Sequence, residues 1–264
     1  MKTKIEIKTP ISYYGGKQSM LKYILPIIPP HEVYVETFFG GGAVFWAKEM
    51  VKVEIVNDYN GMVVNFYEQL KSNFEELKQA IDATPYSRDA YTKAMVVYKH
   101  PYLFNPMVKA WAFWIGTIQG FNNQIESWRS CQPNIKHALL NLNKKTALTI
   151  DLSNRLELVQ MENRDAVKLI LSKDSPTTFF YNDPPYVGAN QGHYGGYTQE
   201  HFNQLLKTLS TIKGKFLLSS YPNEELIQYR KNFGWSSKDI DLNLTVSNTK
   251  GKRKMECLTA NYPI

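Results

Sequence analysis

Cysteine is scarce in this sequence of 264 residues, in which only Cys131 and Cys257 occur. They form no CxxC pair, and no cluster of histidines lies beside either of them. A structural zinc site needs four closely spaced Cys or His ligands, so this scarcity argues against a metal site. It also favours a reducing cytoplasm over the disulfide-rich scaffold of a small secreted protein.

Long apolar runs are missing as well. No run approaches the ~18 residues of a membrane-spanning helix, and residues 1–7 lack the apolar segment of a signal peptide. The sequence contains no internal repeat and no low-complexity linker. We therefore expect a soluble, intracellular protein without a membrane partner, built as one large domain or as a core with a smaller inserted domain.

Positive charge and aromatic side chains are plentiful. The formal net charge is +7 and the pI is near 9.1, which suits an anionic partner, nucleic acid first. Aromatic residues make up 13% of the chain and include 17 tyrosines, which can provide surfaces for stacking bases. Many basic proteins bind no nucleic acid, so the charge alone does not identify the partner, and the sequence motifs are needed to identify it.

The most informative motif is Asp183-Pro184-Pro185-Tyr186. It follows the β-branched and aromatic run 177–180, which predicts a buried strand that ends at the prolines. Proline holds itself and the preceding residue extended, so the Asp183 carboxylate and the Pro184 carbonyl can point the same way. Two such acceptors fit the N–H donors of a nucleobase amino group and stabilise positive charge that develops on its nitrogen. The Tyr186 ring can stack on a flipped-out base, worth roughly 1–3 kcal/mol, whereas the alternative is a simple proline turn.

A glycine turn follows the alternating strand predicted over 33–38. Three glycines at 40–42 precede a predicted helix over 43–48, and the next strand ends at Asp58. This order is typical of nucleotide-like ligands held at a helix N-terminus, with the acidic residue on the ribose hydroxyls. The dinucleotide fingerprint G-x-G-x-x-G is not satisfied, because Phe45 stands where the third glycine belongs.

Two further segments carry candidate ligand contacts. Residues 11–17 place two tyrosines and two glycines before Lys17, which either meets a carboxylate or phosphate or is the solvated lysine of an ordinary turn. Asp165 follows a strand predicted over 155–161 and precedes a helix over 166–171. It either accepts a hydrogen bond from an adenine amino group or caps that helix.

Residues 61–157 interrupt this alternation of strands and helices. Helices are predicted over 62–70 and 74–81, and the aromatic run 109–115 is expected to pack internally. After residue 157 the alternation resumes. In this part the sequence predicts a helix over 198–209, a strand over 215–220, and a hairpin of two strands over 240–246 and 255–260.

Side chains that can read base edges or grip phosphates occur in three polar segments. These segments are the stretch after the aromatic run, a glycine-rich loop, and a basic loop inside the hairpin. For each such side chain a solvated loop is the alternative. The candidates are Asn122, Asn123, Arg129, Lys144, Lys145, Tyr194, Lys252 and Arg253.

Taken together, the motifs resemble those of the Dam-type (D12 class) amino-methylating DNA methyltransferases along nearly the whole chain. The shared order is an aromatic-Gly-Gly-Lys motif at 13–17, the glycine turn at 38–42, an inserted recognition region, and Asp-Pro-Pro-Tyr at 183–186. Each motif alone is a weak signal, whereas the ordered set is a strong one.

The resemblance implies an α/β fold. Residues 1–60 and 158–264 would form a Rossmann-like S-adenosylmethionine-dependent methyltransferase sheet, and 61–157 an inserted, mostly helical DNA target-recognition domain. The implied reaction transfers a methyl group from S-adenosylmethionine to N6 of a flipped-out adenine in double-stranded DNA. It implies no metal, no need for oligomerisation, and action in the bacterial cytoplasm, at the nucleoid or as a phage-encoded enzyme.

The resemblance also assigns residues by motif. Asp183, Pro184 and Tyr186 would hold the target base, Asp58 the donor ribose, and Asp165 would lie near the donor adenine. Tyr13 replaces a common tryptophan, which alters donor stacking, and Thr37 replaces a common proline, which we expect to change little. The residues implied to contact the donor are Tyr13, Lys17, Glu36, Phe38, Gly40, Gly42, Asp58, Asp165 and Asp183.

Other functions stay open at this point. N4-cytosine methylation uses a similar amine, but such enzymes more often carry Ser at position 183. Enzymes that methylate protein glutamine carry Asn there, and RNA is a further acceptor. A dinucleotide-dependent oxidoreductase would share the glycine turn and leave the proline motif unexplained. The complete motif set argues against a DNA-binding module that has lost catalysis, which tight DNA binding without turnover would support.

Overall fold

The computed structural model describes residues 8–13, 15–121, 125, 127–131, 137–187, 196–243 and 253–264. Its strands are β1 (Val33–Glu36), β2 (Val53–Asn57), β3 (Val159–Glu162), β4 (Thr178–Asn182), β5 (Lys215–Ser220), β6 (Ser236–Asn243) and β7 (Arg253–Ala260). Within the described residues they form one seven-stranded sheet in the order β3-β2-β1-β4-β5-β7-β6.

The parallel part of the sheet is built from the apolar runs that predicted strands. β1 pairs in parallel with β2 and with β4, and β4 pairs in parallel with β5. All five residues of β4 are buried, as expected for a central strand covered on both faces. The strand order reverses between β1 and β4, and open α/β sheets bind ligands at the carboxyl ends of strands beside such a reversal.

The antiparallel end of the sheet confirms the predicted hairpin. β7 pairs with β6 from Ser236 opposite Ala260 to Asn243 opposite Arg253, and it also pairs with β5. β6 is longer than predicted, because it begins at Ser236. The prediction of a basic loop over 250–254 was wrong for Arg253 and Lys254, because β7 begins at Arg253. The rest of that loop, with Lys252, lies outside the described residues.

The helices predicted from the 3.6-residue periodicity are confirmed, with boundaries shifted by a few residues. No helix among the described residues combines the length and the apolar character needed to cross a bilayer. The helices are α1 (Leu21–Ile24), α2 (Ala43–Ala47), α3 (Gly61–Ser72), α4 (Phe74–Ala83), α5 (Arg88–Lys99), α6 (Pro106–Gln119), α7 (His137–Thr146), α8 (Ile150–Leu156), α9 (Ala166–Lys173), α10 (Gln199–Leu209) and α11 (Glu224–Phe233).

One predicted strand was wrong in its first part. Arg155 and Leu156 belong to α8, and β3 begins only at Val159. Short apolar runs fit a helix and a strand equally well, so tertiary packing decides. The buried Arg155 guanidinium lies 3.9 Å from the centre of the Phe45 ring and donates a hydrogen bond to the Phe45 carbonyl at 3.4 Å. These contacts hold the last turn of α8.

The chain divides into two compact units. The first unit comprises Met1–Leu21, Gly40–Glu49 and Asp58–Asn163, and its core centres on α6, which packs against α3, α4 and α5. Phe113 and Trp114 of α6 are fully buried, which confirms that the aromatic run packs internally.

The second unit comprises Lys22–Phe39, Met50–Asn57 and Arg164–Ile264. Its core joins apolar side chains of β1, β4 and β5 to those of α9 and α10, with Phe180 and Phe216 among the largest. This unit therefore contains β4, the strand that the Asp-Pro-Pro-Tyr motif follows.

Candidate active site

Asp58, the first residue after β2, anchors the glycine turn within the first unit. Its carboxylate is 2% exposed. It accepts hydrogen bonds from Gly40 N and from Asn60 N, each at 2.8 Å. Burial raises the pKa of Asp58 to about 6, against the lowering effect of these two bonds. Each carboxylate oxygen keeps a second lone pair, so a ligand hydroxyl can still donate to it.

The raised pKa of Asp58 predicts a specific pH dependence of stability. The folded chain holds the Asp58 proton up to about pH 6, whereas an unfolded aspartate releases it near 3.8. The folded state binds more protons between these values, so this contribution to the free energy of unfolding falls as pH rises from 4 to 6. The fall is about 3 kcal/mol and levels off above pH 6.

Denaturant unfolding at several pH values, compared with Asp58→Asn, isolates this contribution because other titrating groups cancel. The Asn variant should gain stability relative to the natural chain as pH rises from 4 to 6. A stability difference that stays constant over that range would contradict the burial of this charge.

The glycine turn after β1 uses a backbone conformation that glycine adopts readily. Gly40 has φ 46° and Gly42 has φ 63°, both in the left-handed region. A Cβ at Gly41 would lie 3.3 Å from the Tyr13 Cβ, which is a tight contact. Tyr67 donates a hydrogen bond to the Gly40 carbonyl at 3.1 Å. The turn is therefore held in place, in close contact with the aromatic residue of the first motif.

Lys17 is buried, so it is not the solvated lysine of an ordinary turn. It is 5% exposed, and its ammonium donates to the Gly15 carbonyl at 2.9 Å. Tyr13 is also 5% exposed, with its ring 6.0 Å from that of Phe113. The structure thus fixes both side chains within the first unit, and their contact with a methyl donor stays a prediction.

Asn57 ties together the strand ends of the second unit. Its amide nitrogen donates to the Thr37 carbonyl at 2.9 Å and to the Arg164 carbonyl at 3.1 Å, while its oxygen accepts from Arg164 N at 3.0 Å. The Thr37 hydroxyl in turn donates to the Asn182 side-chain oxygen at 2.7 Å. Asn182 directly precedes Asp183, so this network supports the start of the Asp-Pro-Pro-Tyr motif.

Thr37 makes two hydrogen bonds that the family's common proline cannot make. Besides the hydroxyl bond to Asn182, its backbone N–H donates to the Tyr181 carbonyl at 3.2 Å. We predict that Thr37→Val, which leaves the buried Asn182 oxygen without this donor, lowers the free energy of unfolding by about 1–3 kcal/mol. Thr37→Ser keeps the hydroxyl and should retain most of the stability. Equal losses in the two variants, measured by denaturant unfolding, would contradict a specific contribution of the hydroxyl hydrogen bond.

Tyr186 is anchored through its hydroxyl. Its oxygen lies 3.0 Å from Ser219 Oγ, and it donates to Glu256 Oε1 at 3.3 Å. Its ring centre lies 4.4 Å from that of Tyr221. Burial raises the pKa of Tyr186 well above its usual value, and the charges of Asp183 and Glu256 raise it further. The Tyr186 ring, which is expected to stack on a base, is therefore fixed in position by the hydrogen bonds of its hydroxyl group.

Ser219, Tyr221 and Glu256 were not predicted from the sequence. One usable signal was that β5 ends in two serines and is followed by Tyr221 and a proline, so polar, aromatic and proline residues occur at its end as they do at the end of β4. Another was Glu256, an acidic residue inside the apolar run that became β7. The pairing of Tyr186 with Glu256 is a contact between distant parts of the chain, which no local pattern reveals.

Glu36, the last residue of β1, is held by its own strand. It is 2% exposed and accepts a hydrogen bond from the Tyr34 hydroxyl at 2.6 Å. Burial first, and then the charge of Glu36, raises the pKa of Tyr34 well above its usual value. Glu36 is thus a buried carboxylate at the carboxyl end of a central strand.

Phe38 and Asp165 both lie near Tyr197 in the second unit. The rings of Phe38 and Tyr197 meet edge to face at 6.0 Å. Burial raises the pKa of Tyr197, and the charge of Asp165 adds to the effect. Asp165 Oδ1 accepts from Lys168 N at 2.9 Å, so Asp165 caps α9. Of its two predicted roles the structure shows capping, and contact with the donor adenine stays a prediction.

The residues predicted to contact DNA are only partly described. Lys144 donates to the Thr9 carbonyl at 3.3 Å, and Lys145 donates to the Asp82 carbonyl at 3.0 Å. Burial lowers the pKa of both lysines. The carbonyl of Arg129 accepts from the Tyr86 hydroxyl at 2.5 Å. Outside the described residues lie Asn122, Asn123, Tyr194, Lys252 and the side chain of Arg253.

Three features define the class of protein. β1, β2, β4 and β5 run parallel and β7 pairs antiparallel with β5 and β6. A glycine turn follows β1 with an acidic residue after β2, and Asp-Pro-Pro-Tyr follows β4. Together they define a Rossmann-like methyltransferase fold, as predicted. The family model of the D12 class N6 adenine-specific DNA methyltransferases matches residues 13–239, and the chain belongs to this family. No group of three or more His, Cys, Asp or Glu side chains in the described part could hold a metal ion.

Two curated relatives show how the chain compares in length. It is 23% identical over 297 residues to the modification methylase StsI of Streptococcus sanguinis, covering 98% of this chain and 44% of that protein. It is 35% identical over 77 residues to the type II methyltransferase M1.LlaDCHI of Lactococcus lactis subsp. cremoris, covering 29% and 27% of the two chains. The matched regions therefore cover less than half the length of each of these curated relatives.

Among solved structures, the precorrin 8w decarboxylase of Methanobacterium thermoautotrophicum is similar at 10% identity with a TM-score of 0.41. The alignment covers 92% of this chain and 88% of that one. A likeness this weak supports no conclusion about function.

Proposed function

We propose that this chain transfers a methyl group from S-adenosylmethionine to N6 of an adenine flipped out of double-stranded DNA, as a modification methylase. The observation that carries the proposal is the Asp-Pro-Pro-Tyr motif at the carboxyl end of β4, beside the reversal of strand order. Asp183 is partly exposed there, whereas Asn182 and Pro184 on either side of it are buried. The carboxylate is thus presented from a rigid backbone. Membership of the D12 family supports this reading.

The chemistry proposed for the motif is electrostatic. The adenine amino group is a poor nucleophile because its lone pair is delocalised into the ring. The Asp183 carboxylate and the Pro184 carbonyl accept its two N–H hydrogens and stabilise the positive charge that develops on nitrogen. The reaction needs no covalent intermediate with the protein, because positioning supplies much of the rate. The proton then leaves the nitrogen, to Asp183 or to water.

The residues of the first unit fit the methyl donor. S-adenosylmethionine, when bound, supplies a methyl group on a positively charged sulfur. Asp58 is a rigid carboxylate with lone pairs to spare for ribose hydroxyls. The turn at Gly40 and Gly42 has no side chains, which lets a ligand approach the backbone closely, and Tyr13 and Lys17 contribute a ring and a cation. The resemblance also makes Glu36, Phe38, Asp165 and Asp183 proposed donor contacts.

We further propose that residues 61–157 carry the DNA recognition. The net charge of +7 supports an anionic partner. Lys144 and Lys145 each donate a hydrogen bond to a backbone carbonyl. The ammonium group of each lysine has further N–H donors that can bind phosphates. The other proposed contacts are Asn122, Asn123, Arg129, Tyr194, Lys252 and Arg253.

The test is a transfer assay with S-adenosylmethionine labelled on the methyl group. Duplex DNA of mixed sequence, single-stranded DNA, RNA and a glutamine-containing protein are offered separately as acceptors. The proposal expects label in duplex DNA well above the other acceptors. Label that appears only in RNA or protein would overturn the proposed substrate while keeping the proposed donor.

A further inference from the structure

Glu256 is a buried carboxylate inside an apolar strand. It is 4% exposed, while Cys257 and Leu258 beside it are fully buried. Removing a carboxylate from water is costly unless the group meets hydrogen-bond donors, so acidic residues are rarely buried without a reason. The methyl-transfer chemistry proposed above gives this carboxylate no role.

The contact that distinguishes Glu256 is with the Tyr186 hydroxyl. Tyr186 Oη lies 3.3 Å from Glu256 Oε1 and 3.0 Å from Ser219 Oγ. A carboxylate only accepts, so Tyr186 is the donor in its bond to Glu256, and Ser219 can donate to the tyrosine oxygen. The Asp183 carboxylate is a second acceptor within hydrogen-bond reach of the same hydroxyl. Ser219 is fully buried on β5, the strand that pairs with β7. Two neighbouring strands thus each provide a partner of this hydroxyl, in addition to Asp183.

These bonds fix the Tyr186 ring at both of its ends. The backbone of Tyr186 follows two prolines, whose φ angles are fixed by their rings. The far end of the side chain is held by Ser219 and Glu256. A bond to a charged acceptor is stronger than one between neutral groups, so the acidic residue gives this anchor much of its strength.

We propose that Glu256 is a positioning residue for methyl transfer, which acts with Ser219 by holding the Tyr186 hydroxyl and thereby sets the ring on which the target base stacks. This rests on the function proposed for the Asp-Pro-Pro-Tyr motif. A reacting base must be placed closely to be methylated in line, and a displacement of about 1 Å can cost on the order of 100-fold in rate. Glu256 therefore affects turnover without touching the base.

The test compares Glu256→Leu, Tyr186→Phe and the double variant in the transfer assay on duplex DNA. Glu256→Leu removes the acceptor and Tyr186→Phe removes the donor of the same bond. Each single variant should lower kcat by about tenfold and leave KM for S-adenosylmethionine unchanged. The double variant should be no slower than the slower single variant, because the bond is lost only once.

Two further variants separate positioning from general damage to the strand. Glu256→Gln keeps an oxygen acceptor and should recover most of the kcat that Glu256→Leu loses. Cys257→Ala changes the next residue, whose side chain lies on the opposite face of β7, within the apolar core. It should lower the unfolding temperature and leave kcat unchanged.

Two outcomes overturn the inference on its own. One is an active chain whose Glu256→Leu variant keeps its kcat. The other is a double variant in which the two losses multiply, since Glu256 would then not act through Tyr186. A natural chain that transfers no methyl group to any acceptor would overturn the proposed function and this inference together.

Discussion

Asp183→Ala should reduce methyl transfer below detection while the chain stays folded. The substitution removes the acceptor that stabilises positive charge on the amino nitrogen, and removal of one such group typically costs about 10²–10³ in kcat. It also removes the carboxylate of the motif, which leaves the Pro184 carbonyl as the remaining proposed acceptor for the amino group. The initial rate of label transfer to duplex DNA measures the effect.

Two companion variants sharpen the Asp183 experiment. Asp183→Asn keeps one oxygen acceptor and should fall between the natural chain and the Ala variant. Asp89→Ala removes an exposed aspartate that pairs with Lys93 at 2.7 Å and should leave the rate unchanged. Activity near the natural level in Asp183→Ala, with an unchanged unfolding temperature, would rule out the proposed mechanism.

Asp58→Ala has the second largest expected effect, a loss of about 100-fold in affinity for S-adenosylmethionine. The buried N–H groups of Gly40 and Asn60 lose their shared acceptor, at about 1–3 kcal/mol each. The glycine turn then loses its fixed geometry, and the ribose loses its proposed acceptor. Isothermal titration of the donor measures the affinity directly.

Asp174 offers a matched control for Asp58. Its carboxylate likewise accepts hydrogen bonds from two backbone N–H groups, those of Lys213 and Gly214, each at 2.9 Å. Asp174 is not among the proposed donor contacts, so Asp174→Ala should lower the unfolding temperature and leave donor affinity unchanged. Comparable losses of affinity in both variants would mean that destabilisation, not the Asp58 contact, weakens binding.

Much of the fold could be predicted because its strands and helices obey local rules. The apolar runs that became β1, β2, β4 and β5 are bounded by turn residues, and the long amphipathic helices repeat at the helical period. Local rules were insufficient at residues 155 and 156, where an apolar run suited both a helix and a strand. The packing of Arg155 on Phe45 decided in favour of the helix.

The candidate site was predictable where chemistry lies in consecutive residues. The Asp-Pro-Pro-Tyr motif and the glycine turn each occupy one short stretch, so their chemistry shows in the sequence. Their supports do not, because Asn57 reaches Arg164 and Tyr186 reaches Glu256 only once the sheet has formed. The buried state of Lys17 and the two bonds of Asp58 likewise depend on tertiary structure.

The most direct test of the proposed reaction is to identify the methylated nucleoside. The chain is incubated with S-adenosylmethionine and duplex DNA of mixed sequence, the DNA is digested to nucleosides, and the products are separated by mass spectrometry. We predict N6-methyladenine in the natural chain and none with Asp183→Ala. N4-methylcytosine would contradict the adenine assignment, and the absence of any methylated nucleoside, with donor binding intact, would contradict DNA methylation itself.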